Sequence, residues 1–338
     1  MRCSLRFEPP WLLRSPHVQT ALGSSPLRRH LGEARLAEVT AGSTPQVIDA
    51  GEGIRLLGMH DLPRGAAPKG LALLLHGWEG SIDSSYMRLT AAALLARGWA
   101  TFRLNFRDHG DSHHLNEQIF HSNRLDEVVR AAVEVARRFP SPRFVAAGYS
   151  LGGNFALRLA LHAPAAGLSL DAVAAVCPVL DPARTMAVMD RGGGLYRRYF
   201  ERKWRASLLR KRALFPHLLH LDDRTLGMRL MELTRWLVER HTDFGTIEAY
   251  FDGYTLAGDR LAALAVPAYL LTAADDPVIP VDDFERLGLP ACAHLEITSR
   301  GGHCGFIENF RLQGLAEAWI AERLDAMATP LQSSAHPA

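Results

Sequence analysis

From Gly70 onward, short apolar runs alternate with stretches in which apolar residues recur every three or four positions. The first run, Leu71 to Leu75, ends at His76-Gly77, as a buried parallel strand does. Helical spacing follows Ser122, which we expect to be the N-cap of a helix that Pro140 ends. Strands separated by helices indicate βαβ units, so the pattern predicts an α/β fold with a mostly parallel, doubly wound sheet.

The same pattern places the other elements of this region. Further strands are predicted at 99–106, 143–149, 172–177, 267–271 and 293–298, and further helices at 84–97, 151–162 and 309–326.

The alternation of strands and helices stops after Asp181. Residues 183–262 read as helices without a clear strand, and the strand pattern resumes at Pro267. A helical insertion between two strands of one sheet would lie over the C-terminal edge of the strands, where such folds bind ligands. We therefore predict a helical cap at 183–262. The rest of the 338 residues then forms an N-terminal segment that packs on the core (1–45), the core itself (46–182 and 263–328) and a disordered tail (329–338).

A candidate nucleophile lies between a predicted strand and a predicted helix. Gly148-Tyr149-Ser150-Leu151-Gly152 matches G-x-S-x-G, and the apolar run before it and the helical pattern after it give the motif its expected context. A serine in such a turn takes strained backbone angles, and small neighbours avoid clashes with the adjoining strand and helix. Ser150 is therefore the predicted nucleophile.

A serine hydroxyl needs a base and an orienting acid to attack at neutral pH. In this arrangement they follow the serine in the order acid, then histidine. Asp275 and Asp276 end the strand that begins near Pro267, and Ser299 to His303 forms a glycine-rich loop after the next strand. We predict His303 as the base. Spacing alone does not choose between the two aspartates, and Asp276 is preferred.

The oxyanion of an acyl-transfer intermediate needs two N–H donors. One is expected from Leu151, the residue after the nucleophile, and the other from the loop at His76 to Gly80, where we favour the Trp78 N–H.

A histidine-rich loop also suggests a metal site. It runs from Asp108 to His114, with His121 nearby, but it offers no H-x-x-x-H on a helix and no ladder of ligands. We interpret it as a strand-to-helix loop beside the site and predict neither a metal nor a cofactor.

Acidic and basic residues nearly balance, with Lys+Arg 38 against Asp+Glu 36 and a formal net charge of +2. That balance argues against a general nucleic-acid binder. One segment departs from it, since Arg191 to Arg212 holds nine basic residues and one acidic residue, with aromatic residues interleaved. The run is typical of a solvated helix face over packed aromatics. It also fits a basic cap that contacts anionic lipid headgroups or an acidic substrate.

The spacing of the cysteines and the residues near the N-terminus bear on the cellular compartment of the protein. The four cysteines form no C-x-x-C pair, so neither a zinc knuckle nor a disulfide framework is indicated. Glu8, Pro9 and Pro10 interrupt any signal-peptide stretch, and no uncharged run reaches the about 18 residues of a transmembrane helix. We expect a soluble, cytoplasmic protein.

Six short segments form a wider pattern: Phe7 to Trp11, His17 to Thr20, His76 to Ser81, Asn105 to Ser112, Phe120 to Ser122 and Gly301 to Phe306. With the G-x-S-x-G motif they resemble the YheT-like branch of the α/β-hydrolase superfamily, over about residues 7 to 325. The segment His17-Val18-Gln19-Thr20 is the most specific to this branch. The branch places its acid directly before a proline, which supports Asp276, and glycine is commoner in it at the positions of Asp108 and Asn123.

The resemblance implies an α/β-hydrolase fold and esterase- or lipase-type hydrolysis of carboxylic esters without a cofactor. The alternatives are an acyltransferase or thioesterase with the same triad, and a non-catalytic module that binds lipid or a partner. We expect a small-molecule or lipid ester as substrate, no nucleic acid and no obligate protein partner. Peripheral contact of Arg191–Arg212 with an anionic membrane is an alternative that the sequence leaves open. Acyl-chain length, leaving group and oligomeric state do not follow from the sequence.

Overall fold

The computed structural model describes residues 2–32, 36, 42–65, 67–191, 194–217 and 221–326. Its strands are β1 (Arg2–Ser4), β2 (Thr44–Asp49), β3 (Arg55–Asp61), β4 (Leu71–Leu75), β5 (Ala100–Leu104), β6 (Phe144–Tyr149), β7 (Ala172–Val176), β8 (Ala268–Ala273) and β9 (Ala293–Thr298). They form one sheet in the order β1-β9-β8-β7-β6-β4-β5-β3-β2.

The sheet is parallel from β1 to β5, and β3 and β2 extend it as antiparallel strands. This confirms the prediction of a mostly parallel sheet. All residues of β4, β5, β6 and β7 are buried, which explains the continuous apolar character of β4, β6 and β7. In β5 the buried Thr101 and Arg103 side chains instead donate hydrogen bonds to Asp61 of β3. Leu75 pairs with Gly148, Tyr149 with Val176 and Ala273 with Thr298, so these strands end at one edge of the sheet.

Helices cover both faces of the sheet. They are α1 (Pro16–Gly23), α2 (Pro26–Leu31), α3 (Ser85–Leu95), α4 (Leu125–Arg138), α5 (Leu151–His162), α6 (Pro182–Arg191), α7 (Leu195–Leu214), α8 (Asp223–Gly227), α9 (Leu230–His241), α10 (Ile247–Asp252), α11 (Val281–Glu285) and α12 (Leu315–Ala326).

Two predicted helix boundaries are wrong. The helix expected from Ser122 begins at Leu125, with Arg124 at the N-cap position. The Arg124 N–H donates to the His121 carbonyl (3.1 Å) and closes a turn that contains Ser122, and the Ser122 N–H donates to the Tyr250 hydroxyl of α10 (3.0 Å). The helix expected from Asn309 begins at Leu315. There the Asn309 side chain accepts hydrogen bonds from the backbone N–H groups of Arg311 and Gln313, which closes a turn.

The described residues between β7 and β8 form helices α6 to α10 and the loops that join them, and they contain no strand; we call this segment the cap. Its apolar residues, among them Trp204, Leu237 and Tyr250, join the same hydrophobic cluster as residues of β4 and α5. On the other side, His17 of α1 forms a hydrogen bond of 2.7 Å with the Tyr196 hydroxyl of α7. The predicted tail at 329–338 lies outside the described residues.

A buried ion pair attaches α7 to the core. Lys211 Nζ lies 2.7 Å from Asp108 Oδ1, and the two side chains are 1% and 5% exposed. The ammonium also donates to the carbonyl oxygens of His113 and Asn116, and the other Asp108 oxygen accepts from the Phe120 N–H. Asp108 lies at a φ of 58°, a conformation that favours glycine, so the aspartate contributes this ion pair at a strained position.

Several other basic residues of Arg191–Arg212 form ion pairs with acidic residues of the same chain. Arg197 and Arg205 pair with Glu201, Arg210 with Asp111, and Arg212 with Asp223. These contacts reduce the charge that the segment offers to a partner, and its contact with an anionic membrane stays a prediction. In the described part of the chain, no helix has the length and apolar character needed to cross a membrane.

We expect Asp108→Asn to lower the free energy of unfolding by about 3–5 kcal/mol, because it leaves the Lys211 charge buried without a counter-charge. Urea unfolding at neutral pH measures the loss. Asp111→Asn is the matched control, since it breaks an ion pair with Arg210 of the same helix. In that pair the Asp111 side chain is 88% exposed. The control should stay within about 1 kcal/mol of the parent. Equal losses in the two variants would contradict this role of the buried pair.

Candidate active site

Ser150 lies in the turn between β6 and α5, at a φ of 53° and a ψ of −118°. This left-handed conformation is strained for serine. The Ser150 N–H donates to the Val176 carbonyl of β7 (2.9 Å), and its carbonyl accepts from Asn154 (3.0 Å) and Val179 (3.3 Å). The turn is therefore held from β7 and from α5, and it presents the serine side chain at the sheet edge.

Glycines make this turn sterically feasible. A Cβ at Gly148 would lie 2.1 Å from the Gly152 carbonyl oxygen, and a Cβ at Gly152 would lie 2.2 Å from the Leu75 carbonyl oxygen. Both distances are too short for any side chain. Gly152 therefore lets the first turn of α5 lie directly on the end of β4, as the motif predicts.

The structure brings Ser150, His303 and Asp276 together. His303 Nε2 lies 2.9 Å from Ser150 Oγ, and His303 Nδ1 lies 2.9 Å from Asp276 Oδ2. The other Asp276 oxygen accepts from the N–H groups of Val278 (2.8 Å) and Ile279 (2.9 Å), and the Asp276 side chain is fully buried. A carboxylate held in this way fixes the imidazole with Nδ1–H toward Asp276 and Nε2 toward the serine.

Asp275, the alternative acid, occupies a different position. Its Oδ1 accepts from the Gly302 N–H at 2.9 Å, so it supports the loop before His303 and not the imidazole. Burial raises the pKa of Asp275, and this backbone hydrogen bond opposes the shift.

The electrostatics of His303 depend on Asp276. Burial is the largest single influence and favours the neutral ring, but the charge and hydrogen bond of Asp276 act in the opposite direction. The net effect raises the pKa of His303 above its ordinary value of 6.5.

The loop after β4 passes beside the nucleophile. A Cβ at Gly77 would lie 3.4 Å from Ser150 Cβ, and Trp78 and Leu151 line the same cavity as Ser150. The Gly77 N–H donates to the Tyr86 hydroxyl (3.0 Å), which holds the loop from α3. This role of Tyr86 could not be predicted from the sequence, because its hydrogen-bond partner is a backbone N–H, which every residue type except proline offers.

His76, a neutral residue at the end of β4, holds the same loop by hydrogen bonds. Burial lowers the pKa of His76 to about 4. Its Nε2 accepts from the Phe106 N–H (3.1 Å), so its Nδ1–H donates to the Gly77 carbonyl (2.7 Å).

An apolar cavity opens in front of Ser150. It encloses about 720 Å³ of empty space, part of it open to solvent, and core and cap both contribute to its walls. Cap residues include Met186, Met189, Phe200, Trp204 and Leu237. Trp78 stacks on Phe200, with ring centroids 5.0 Å apart, so the loop after β4 and α7 form one wall. Such a wall suits an apolar group bound next to the serine.

The histidine-rich loop has other roles than metal binding. Asp108 pairs with Lys211, the His109 Nδ1–H donates to the Arg107 carbonyl, and His113 Nε2 bonds with the Ser207 hydroxyl (2.8 Å). Among the described residues, the one group with metal-ligand spacing is Cys177, His303 and Cys304, whose donor atoms lie within 4.8 Å of one another. Both nitrogens of His303 are engaged by Ser150 and Asp276, so this group would bind a metal only by giving up that geometry.

Comparison with known proteins identifies the family to which the fold belongs. A family model described as the alpha/beta hydrolase fold matches residues 72–310. The chain is 29% identical to YheT, a proposed esterase of Escherichia coli K12, over 80% of each chain. It is 27% identical to slr0264, a proposed esterase of Synechocystis sp. PCC 6803, over 90% of this chain and 88% of that protein.

The fold is also similar to that of a solved structure, esterase Pf2001 of Pyrococcus furiosus. The TM-score is 0.56 at 16% identity, over 88% of this chain and 94% of that chain. At this identity the likeness concerns the fold alone.

Replacing Asp276 by Asn should lower the pKa of His303, because burial then acts on the imidazole without an opposing negative charge. NMR titration of the His303 ring in a Ser150→Ala background measures the shift without substrate. Asp275→Asn is the control, and it should shift the pKa of His303 less, because Asp275 bonds a backbone N–H. A larger shift in the Asp275 variant would show that Asp275, and not Asp276, is the acid paired with His303.

Proposed function

The chain belongs to the α/β-hydrolase family, and we propose that it is a serine hydrolase that cleaves carboxylic esters with an apolar acyl group. One observation carries the proposal: Ser150, His303 and Asp276 form a continuous hydrogen-bonded chain, and the serine faces an apolar cavity. The similarity to two proposed esterases supports the same class of reaction.

In the proposed reaction, Ser150 Oγ attacks the ester carbonyl carbon while His303 Nε2 takes the hydroxyl proton. Asp276 stabilises the imidazolium that forms and keeps its orientation. The backbone N–H groups of Trp78 and Leu151 are the proposed donors to the oxyanion. Leu151 begins α5, where helix geometry leaves the N–H groups without partners in the helix.

The tetrahedral intermediate then collapses. The bond to the alcohol oxygen breaks, His303 gives its proton to that oxygen, and the acyl group stays on Ser150. Water, deprotonated by His303, attacks the acyl carbon of the acyl-enzyme. The bond to Ser150 Oγ then breaks, His303 returns the proton to that oxygen, and the acid is released. A thiol or alcohol in place of water would make the protein an acyltransferase, so product analysis with a competing acceptor separates these activities.

The cavity suggests which part of the substrate is apolar. Its cap wall holds methionine, leucine and aromatic side chains with two threonines, Thr185 and Thr234, and no charged residue, so it binds a hydrocarbon chain better than a charged group. Met186 and Met189 are flexible side chains that fill irregular space, so the site suits acyl chains of more than one length.

Ser150→Ala should lower kcat/KM for p-nitrophenyl esters by a factor on the order of 10⁶, because the triad acts as a unit. The same variant should lose labelling by a fluorophosphonate, which reacts with an activated serine. The control is Ser141→Ala, which changes a serine before β6, at the opposite end of the strand from Ser150. It should keep both activity and labelling. A Ser150→Ala protein as active as the parent would refute the mechanism.

Met186→Trp should restrict the substrate to shorter acyl chains, because the larger ring fills the cavity. We expect kcat/KM for octanoyl esters to fall by about 10-fold or more relative to acetyl esters, as pocket contacts of this size change selectivity by about 10–200-fold. Met231→Trp alters a partly buried cap methionine outside the cavity lining and should leave the ratio unchanged. The same ratio in parent and Met186→Trp would show that the acyl group binds elsewhere.

A further inference from the structure

Helix α1 lies directly against the loop that carries His303. A Cβ at Gly302 would lie 2.3 Å from the Pro16 carbonyl oxygen, and a Cβ at Gly305 would lie 2.4 Å from the Gln19 carbonyl oxygen. The backbones are therefore in contact on both sides of His303. Glycine is required at both loop positions because α1 occupies the space of a side chain.

Gln19 joins α1 to the end of this loop. Its side chain is fully buried. Its Oε1 accepts from the Ile307 N–H (2.6 Å), and its Nε2 donates to the Ile307 carbonyl (3.1 Å) and to the Leu13 carbonyl (2.7 Å). One amide thus satisfies both backbone groups of Ile307, so the loop end has a fixed distance from α1.

Thr20 contacts the histidine itself. Its Oγ1 accepts from the His303 N–H at 2.9 Å and donates to the Pro16 carbonyl at 2.7 Å. The donated hydrogen bond orients the hydroxyl so that a lone pair faces His303. This is the contact through which the N-terminal segment reaches the backbone of the proposed base.

The loop needs such a support from outside. Cys304 and Phe306 lie at φ values of 59° and 47°, a conformation that is unfavourable for side chains of L residues. Strained residues persist only where the surrounding structure holds them. Gln19 and Thr20 supply hydrogen bonds on either side of this strained stretch.

We propose that Gln19 and Thr20 are positioning residues, which hold the backbone of the His303 loop so that Nε2 stays within hydrogen-bond distance of Ser150 Oγ. The inference rests on the proposed function of Ser150 and His303. It gives the His17-Val18-Gln19-Thr20 segment a role in proton transfer, although neither Gln19 nor Thr20 lines the cavity. Displacement of a reacting group by about 1 Å can cost about 100-fold in rate.

The test uses Thr20→Val, which keeps the shape of the side chain and removes the acceptor for the His303 N–H. We expect kcat to fall by about 10- to 100-fold while KM stays within about twofold, because the cavity is unchanged. Thr20→Ser restores the hydroxyl and should recover kcat to within about threefold. Gln19→Met, which keeps the volume but removes three hydrogen bonds, should lower kcat at least as much where it folds.

Thr242→Val is the matched control. The Thr242 hydroxyl also donates to the carbonyl four residues earlier (Val238, 2.7 Å) and accepts from a backbone N–H (Phe244, 3.4 Å), but it lies at the end of α9 in the cap. A loss of kcat that Thr242→Val shares, a loss confined to KM, or no recovery in Thr20→Ser would overturn the proposal.

Labelling by a fluorophosphonate separates this inference from the proposed function. If the parent is neither labelled nor active on esters, the proposed function fails. If the parent is labelled and Thr20→Val is labelled at the same rate, Ser150 is activated without help from Thr20, and only the positioning role fails. A slower labelling of Thr20→Val, with recovery in Thr20→Ser, supports the positioning role independently of the ester chosen.

Discussion

The contact between α5 and the end of β4 determines where Ser150, the proposed nucleophile, lies. At Gly152 the helix approaches the Leu75 carbonyl so closely that a Cβ would be 2.2 Å away. This approach and the hydrogen bond from Ser150 to Val176 fix the strained turn between two parallel strands. The proposed acid Asp276 follows β8 and the proposed base His303 follows β9 of the same sheet. Their distances from Ser150 therefore depend on the register of these strands. A slip of β8 or β9 would move Asp276 or His303 away from Ser150.

The cap is held by contacts of two kinds, and each affects a different part of the site. The ion pair of Lys211 with Asp108 attaches α7 to the loop after β5, in a place where neither charge is solvated. Stacking of Trp78 on Phe200 joins α7 to the loop that is proposed to bind the oxyanion. The cavity wall and the oxyanion loop therefore form one packed unit, and the cap contributes to the position of groups near Ser150 as well as to substrate binding.

The sequence was most informative where a strand is buried on both faces. The apolar runs of β4, β6 and β9 predicted those strands within about a residue, whereas β2 and β3 at the antiparallel edge were missed. Exposed residues interrupt the pattern of β2, and in β3 the buried polar residues His60 and Asp61 interrupt it. Ser150 and His303 could be predicted from motif and order. The choice between Asp275 and Asp276 could not be made from spacing, since both follow β8 and only the turn at Val278 and Ile279 directs Asp276 toward the imidazole.

The part of the site that the sequence did not predict lies in contacts between distant segments. Gln19 and Ile307 are 288 positions apart, and their hydrogen bonds leave no periodicity that a pattern could detect. Gln19 belongs to one of the motifs that carry the family resemblance and Ile307 directly follows another, and the structure gives a physical reason for the joint occurrence of these motifs. The α1 backbone occupies the space of side chains at Gly302 and Gly305, while Thr20 and Gln19 satisfy N–H groups at His303 and Ile307. Neither segment can change alone without a clash or an unpaired buried N–H group, so the two motifs act as one structural unit.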